Sequence, residues 1–363
     1  MDTRIKRLYA FMEERSLDAM MITQPKLIYY FTGFYTEPHE RFLALVLPKG
    51  EEPFLFVPML DLEKAEMASN CKKIYSFKDS EDPFEVLKSK LPSVIRRVGL
   101  QEGYVNVKRY HALMKAIGAE QSVDLEEQLT EMRVIKSAEE IVTIKRAIVC
   151  IENALHATLP KVKVGVTEFE IVAELEYQTK LLGADGPSFD TLVLSGEKTA
   201  MPHGVSGTRK IKKGELLLID AGVFVDGYAS DLTRTFAVGD VDEKLKVMYE
   251  TVLQANLQMI QAARPGVTYA SLDLAARNFI AKKGYGEYFI TRAGHGFGLE
   301  IHEYPSIHEN NYDLLPEGSV FTAEPGIYMP GIGGVRIEDD VLVTKDGTEV
   351  LTSFPKELTI IGS

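Results

Sequence analysis

The sequence predicts a mixed α/β chain, of the α+β kind, in two domains: a small α/β unit over residues 1–130 and an internally duplicated unit over residues 131–363. Three observations carry this expectation. The 363 residues are more than one ordinary core accommodates. Strand and helix patterns alternate as far as about residue 125, as in a small α/β domain. Beyond that point one arrangement of glycines, apolar runs and carboxylates occurs twice, the mark of a repeated unit.

Taken in order, Ile5, Leu8, Tyr9 and Met12 fall on one helical face. Ala19–Ile22, Phe42–Leu47 and Phe54–Val57 are apolar runs of strand length, and Arg97–Leu100 precedes a helical pattern at Val107–Ile117. Between the first two strands lies a polar, proline-containing stretch, Gly33-Phe-Tyr-Thr-Glu-Pro-His-Glu-Arg41, which holds His39. Ser137-Ala-Glu-Glu140 is a capping box. Behind it Ile141, Ile144, Ile148, Ile151 and Leu155 share a helix face, so the second domain is expected to begin near residue 131. Another long helix is expected from about Glu243, with Leu245, Met248, Val252 and Ala255 inward and a stop at Pro265-Gly266.

The repeat is clearest where apolar strands meet acids. Leu216–Ile219, bounded by Gly214 and Gly222, runs into Asp220, and Asp231 follows a turn at Gly227. Gly318-Ser-Val-Phe-Thr-Ala-Glu324-Pro-Gly326 has the same spacing, and Glu338 follows it. Upstream, Gly165-Val-Thr opens a helix-like run closing at Gly183, and Gly266-Val-Thr opens one closing at Gly284, both intervals being 18 residues. Two such halves about a pseudo-twofold axis would converge four carboxylates on one centre. Buried like charges repel and raise one another's pKa unless a cation lies between them, and a metal ion is the simplest such cation.

The net charge of −12 disfavours nucleic acid or an anionic membrane as partner. The one dense basic run, Arg209-Lys-Ile-Lys-Lys213, reads as a solvated loop before a strand. No apolar run approaches the ~20 residues of a membrane span, and the charged N-terminus lacks a signal-like apolar core. Cys71 and Cys150 sit among apolar neighbours, as buried, reduced thiols do. These readings together place the protein in the cytoplasm. Of seven histidines, His39, His111, His156 and His308 stand alone. His203 lies in Met-Pro-His-Gly, and His295 and His302 share Gly294-His-Gly-Phe-Gly-Leu-Glu-Ile-His302-Glu. Glycines round His295 allow close approach of a ligand or metal. The zinc-protease helix His-Glu-x-x-His is not completed, since position 306 is Ser306.

The set Asp220, Asp231, His295, Glu324 and Glu338 resembles the five metal ligands of the pita-bread metallopeptidases, which include methionine aminopeptidase, aminopeptidase P and prolidase. The first domain resembles the creatinase/prolidase N-terminal domain, and Met132-Arg-Val-Ile-Lys-Ser137 with the Glu140 helix resembles the family's entry into its catalytic domain. The resemblance thus implies a creatinase-like domain followed by a pseudo-twofold pita-bread catalytic domain. The two-domain layout, His203 and His302 point to the proline-specific branch. Methionine aminopeptidases lack this N-terminal domain, and creatinase lacks the five ligands.

Four carboxylates and one imidazole make a hard, oxygen-rich site suited to Mn²⁺, with Co²⁺, Zn²⁺ and Fe²⁺ as other candidates. The resemblance implies two divalent ions bridged by Asp231 and Glu338, with Asp220 completing one shell and His295 and Glu324 the other. A hydroxide shared by the two ions would attack the scissile carbonyl. Glu324 is then the proton shuttle, and His203 and His302 face the growing oxyanion. Arg336 would hold Glu338 ionised or meet the substrate, or form a plain ion pair, and Thr233 would orient Asp231. The implied reaction is cleavage of the Xaa-Pro bond of dipeptides. The alternatives are aminopeptidase P action on longer peptides and a non-catalytic pita-bread binding module. A proline-ring pocket is expected around Phe189 and His203, although Phe189 would equally serve as core. Short prolidases of this family are homodimers. The Gly33–Arg41 loop, with His39, is expected to reach the partner's active site and, with Arg292, to limit the pocket to two residues.

Overall fold

The computed structural model describes residues 3–92 and 94–362. The chain divides into two units, one ending at Met132 and the other beginning at Arg133. In the first, β1 (Ala19–Ile22), β2 (Ala44–Pro48), β3 (Phe54–Pro58), β4 (Lys73–Phe77), β5 (Arg97–Leu100) and β6 (Gln121–Asp124) form one sheet in the order β4-β3-β2-β1-β5-β6. Helices α1 (Thr3–Glu14), α2 (Pro25–Thr32), α3 (Leu62–Ala68), α4 (Pro83–Lys88), α5 (Val107–Ile117) and α6 (Glu126–Val134) precede, connect and follow these strands. β1, β2 and β3 read as unbroken apolar runs because both of their faces are buried. Asn106 caps α5 by accepting from the Arg109 N–H, and Gly118 ends it in the left-handed region.

Three local expectations are corrected here. β2 starts at Ala44, with Phe42 and Leu43 buried ahead of it. Phe11 joins Ile5, Leu8 and Met12 in the buried stripe of α1, while Tyr9 stays half-buried so that its hydroxyl can donate to the Glu51 carbonyl. Cys150 is buried, but Cys71 is only partly so, and both are free thiols.

The second unit shows why its sequence repeats. Its first half begins with α7 (Ala138–Thr158) and α8 (Glu168–Leu181), its second with α9 (Glu243–Ala262) and α10 (Tyr269–Lys282). Thr167 caps α8 and Thr268 caps α10, each side chain accepting from a backbone N–H of the first turn. Both threonines also sit in isolated bridges, to Lys210 and Leu314. The punctuating glycines have matching left-handed φ values: 94° and 84° at Gly165 and Gly266, 88° at both Gly183 and Gly284, and 85° and 82° at Gly214 and Gly318. Only glycine takes such values without strain, so the fold's duplication is written in glycine.

The first half continues through β7 (Gly186–Pro187), β8 (Leu192–Ser195), β9 (Leu216–Ala221), β10 (Val223–Val225), β11 (Tyr228–Ala229) and β12 (Leu232–Val238). The second contains β13 (Gly294–Gly296), β14 (Glu303–Ile307), β15 (Val320–Ala323), β16 (Gly326–Met329), β17 (Gly333–Arg336), β18 (Asp339–Thr344), β19 (Gly347–Val350) and β20 (Ile360–Ile361). The two main sheets run β20-β12-β9-β8 and β14-β13-β15-β18-β19. Helices α7 and α8 cover the first through Ile151, Leu175, Leu217, Ile219 and Phe236. Helices α9 and α10 cover the second through Val252, Leu272, Phe321 and Val341. The period of two along β9 sends Leu217, Ile219 and Ala221 to the helices and Asp220 to the opposite face. This duplicated arrangement of the second unit is the one that the pita-bread resemblance implies. Among the described residues no helix is long and apolar enough to cross a membrane.

Candidate active site

Each half supplies one antiparallel strand pair, β9–β12 and β15–β18. Asp220 lies in β9 opposite Thr233, Asp231 immediately precedes β12, Glu324 follows β15, and Glu338 immediately precedes β18. The Glu338 N–H donates to the Thr233 carbonyl at 3.2 Å, which ties the two pairs together. His295 is the middle residue of β13. These five side chains line one cavity of about 450 Å³, and Phe189, His203, Arg292, His302 and Arg336 line it with them.

β13 fits there because its ends are glycines. A Cβ on Gly294 would stand 1.9 Å from the Thr322 carbonyl oxygen, and one on Gly296 2.3 Å from that of Tyr304. His295 Nδ1 lies 3.1 Å from the Gly296 carbonyl. A carbonyl only accepts, so Nδ1 donates to it and Nε2 is the ring nitrogen left to meet the acids. Nε2 faces Glu324 Oε1 at 3.2 Å and Asp231 Oδ2 at 3.6 Å.

The acids carry the complementary signature. Asp231 and Glu338 are pushed well above the usual carboxylate range, by burial first and then by neighbouring carboxylates. Burial also raises Asp220 despite the Arg336 guanidinium beside it. Asp220 Oδ1 and Glu338 Oε1 are buried without a hydrogen-bond partner. One donor atom from each of Asp231, His295 and Glu338 lies within 4.8 Å of the others. Orphaned carboxylate oxygens beside an imidazole nitrogen, with like charges crowded out of water, fit a divalent cation by charge and by donor type.

Around these donors the hydrogen bonds are specific. Thr322 Oγ1 donates to Glu324 Oε1 at 3.2 Å and accepts from the His295 N–H at 3.1 Å. Thr233 Oγ1 donates to Glu338 Oε2 at 2.6 Å, so it holds Glu338 and not Asp231 as the sequence suggests. Asp231 is instead held through its backbone N–H, which donates to Asp340 Oδ2 at 3.2 Å. Arg336 pairs with Asp220 rather than with its near neighbour Glu338, and donates to Thr233 Oγ1 at 3.1 Å and to the Tyr328 hydroxyl at 2.9 Å. The physical reason is placement: Arg336 ends β17, which pairs with β16, and its guanidinium reaches from that pair to β9 of the neighbouring sheet instead of along the chain.

His302 lies edge-on to His295, with ring centroids 4.4 Å apart and planes at 85°. Burial and the adjacent His295 ring lower its pKa to about 4, so it is neutral at physiological pH and able to donate one hydrogen bond. His203 is exposed, Phe189 and Arg292 are half-buried, and Arg292 Nη1 donates to Ser306 Oγ at 3.3 Å. His39 is exposed in the first unit with φ 52°. It lines a separate small cavity with Pro38 and Arg109, so a single chain does not bring it into the 450 Å³ cavity. Sequence reasoning missed Tyr328, Thr322 and Asp340. The run Glu338-Asp339-Asp340 was a visible signal for the last, because all three acids are buried.

Known proteins match this arrangement from end to end. The model of metallopeptidase family M24 matches residues 142–345, and that of the creatinase/prolidase N-terminal domain matches residues 4–135. YkvY of Bacillus subtilis (strain 168) is 43% identical over 361 residues, 99% of either chain. The prolidase from Pyrococcus horikoshii OT3 is similar in structure, with a TM-score of 0.92 at 37% identity over 98% of this chain and 100% of its own. The X-Pro aminopeptidase from Thermotoga maritima MSB8 follows at 0.87 and 33%, over 96% of this chain and 99% of its own. A duplicated fold that converges four carboxylates and a histidine, matched over nearly its full length by such relatives, leaves one conclusion: this chain is a metallopeptidase and belongs to family M24.

Proposed function

We propose that this metallopeptidase is a prolidase, cleaving the Xaa-Pro bond of dipeptides with two divalent ions, Mn²⁺ foremost. The observation that carries the reading is one cavity shared by Asp220, Asp231, His295, Glu324 and Glu338 on one side and Phe189, His203, Arg292 and His302 on another. The likeness to the Pyrococcus horikoshii prolidase supports it. Asp220, Asp231, His295, Glu324 and Glu338 would hold the ions between them. Bound there, the ions supply Lewis acidity and acidify water toward neutral pH.

The remaining chemistry belongs to the chain. Glu324 takes the proton of the attacking water and passes it to the leaving proline nitrogen, which has no N–H of its own. His302, neutral, donates to the carbonyl oxygen as charge develops there, and His203 does the same. Phe189 packs against the proline ring. Arg292 pairs with the free carboxylate that only a dipeptide presents at that distance. Arg336 opposes the effect of burial on Asp220 and holds it in place. The working unit is a homodimer in the cytoplasm, in which the Gly33–Arg41 loop with His39 closes the partner's pocket. Two free cysteines accord with a reducing compartment.

Hydrolysis of Leu-Pro beside a longer Xaa-Pro-Yaa peptide, with Mn²⁺ added, tests this. Release from the dipeptide alone is expected. A second reading, aminopeptidase P, draws on the similarity to the Thermotoga maritima X-Pro aminopeptidase, and release from the longer peptide would establish it instead. Arg292→Ala should raise KM for Leu-Pro about 10–100-fold with kcat little changed, since a uniform binding contact is lost. Unchanged kinetics on every Xaa-Pro dipeptide would remove Arg292 from the substrate site.

A further inference from the structure

His203 stands at the tip of an excursion that leaves β8 at Ser195 and returns at Gly207. Among the described residues its imidazole has no hydrogen-bond partner of its own, so the backbone alone decides where it sits. Close to the histidine the side chains are open, Met201 and Val205 being 55% and 77% exposed, and the nearer anchors are the Ser206 hydroxyl, which accepts from the Val193 N–H at 2.8 Å, and Thr199 Oγ1, which accepts from the Gly334 N–H at 2.7 Å. The charged anchor lies at the base. Glu168, the first residue of α8, is fully buried and is not part of the cavity lining. Its Oε1 accepts from the Ser195 N–H at 2.9 Å and the Ser195 hydroxyl at 2.8 Å. Its Oε2 accepts from the Gly207 N–H at 3.0 Å and from the Lys198 ammonium. Lys198 Nζ in turn donates to the Val205 carbonyl at 2.9 Å. Both ends of the excursion therefore close on one carboxylate and its counter-ion. Buried charges with this many partners are rigid, because each donor released would leave an unpaired group behind.

We propose that Glu168 is a positioning residue for the reaction: its carboxylate clasps both ends of the 195–207 excursion and so sets His203 over the cavity. The Lys198 ammonium completes the clasp. This rests on the reading that His203 takes part in Xaa-Pro cleavage. A loosened clasp should act on kcat, because a donor to a developing charge works only when it is held in place beforehand.

The test is a double-mutant cycle on Leu-Pro hydrolysis with Mn²⁺, joined to metal content and thermal stability of each purified variant. Glu168→Gln places an amide NH₂ against donors, and Lys198→Met, at a less buried site, opens the clasp should the first variant not fold. Each is expected to lower kcat about tenfold, with KM within about twofold and metal content unchanged. In a His203→Ala background the same substitutions should cost no further kcat. If the losses multiply instead, Glu168 does not act through His203 and the proposal falls. Loss of bound metal in Lys198→Met would overturn it too, by showing a general structural role. If His203→Ala alone leaves kcat unchanged, the role given to His203 in the prolidase reading is what fails, and the clasp loses its function with it.

Discussion

The Thr233 hydroxyl accepts from Arg336 and donates to Glu338, so one oxygen links the two halves of the site. Thr233→Val keeps the shape and removes both bonds. Glu338 is then free to turn, and Arg336 loses one of its three anchors. We expect divalent-metal affinity to fall about 10–100-fold, the usual cost of losing a group that orients a ligand, with titration calorimetry as the readout. His302→Ala is a contrasting case. It removes a neutral donor that packs on His295 without belonging to the donor set. Here kcat should fall about 10²–10³-fold while bound metal stays constant. A His302→Ala protein that loses its metal would instead make His302 a support for His295. These roles separate at the level of single residues because Thr233 touches Glu338, a proposed ligand, and His302 faces the cavity.

At the scale of elements, β13 is held between two neighbours that leave no room for a side chain at Gly294 or Gly296. Gly296→Ala should therefore destabilise the protein by about 1–3 kcal/mol, the range for overpacking, and weaken metal binding by displacing His295; chemical denaturation measures the first. The sequence showed these glycines and their histidine as a unit, because a residue flanked by glycines is a local pattern. It also showed the capping box of Ser137 and Glu140, which forms with both reciprocal bonds. Cross-strand partners were less legible. Periodicity says that Asp220 shares a face of β9 with other residues. It does not say that Arg336, 116 positions away, will meet it. Register between distant strands is set by packing, so proximity in the chain paired Thr233 with Asp231 where the structure gives it Glu338, and left open the Arg336 ion pair that the structure forms with Asp220.

At the scale of the molecule, the duplication was legible because left-handed glycines recur at corresponding places in both halves, and backbone geometry of that kind tolerates no other residue well. The convergence of the two halves has an energetic consequence that metal removal exposes. Without a cation, Asp220, Asp231 and Glu338 are all raised above their ordinary values, burial being the leading cause. A carboxylate raised in the folded state holds its proton there at pH values where the unfolded chain has lost it. Stability is then lost as pH rises through the folded value. Glu324 and Asp339 are shifted the other way, so their contribution is lost only as pH falls below the ordinary carboxylate range. Above the ordinary carboxylate range the raised group governs, and the metal-free protein should melt lower as pH rises. Metal binding requires the deprotonated carboxylates, so its stabilisation grows in the same direction. Thermal melts of stripped and Mn²⁺-loaded protein above that range should differ by about 10 °C at neutral pH, and the gap should widen with pH. A gap that stays constant would mean that the crowded acids are not where the ions bind, and the site would have to be sought elsewhere in the fold.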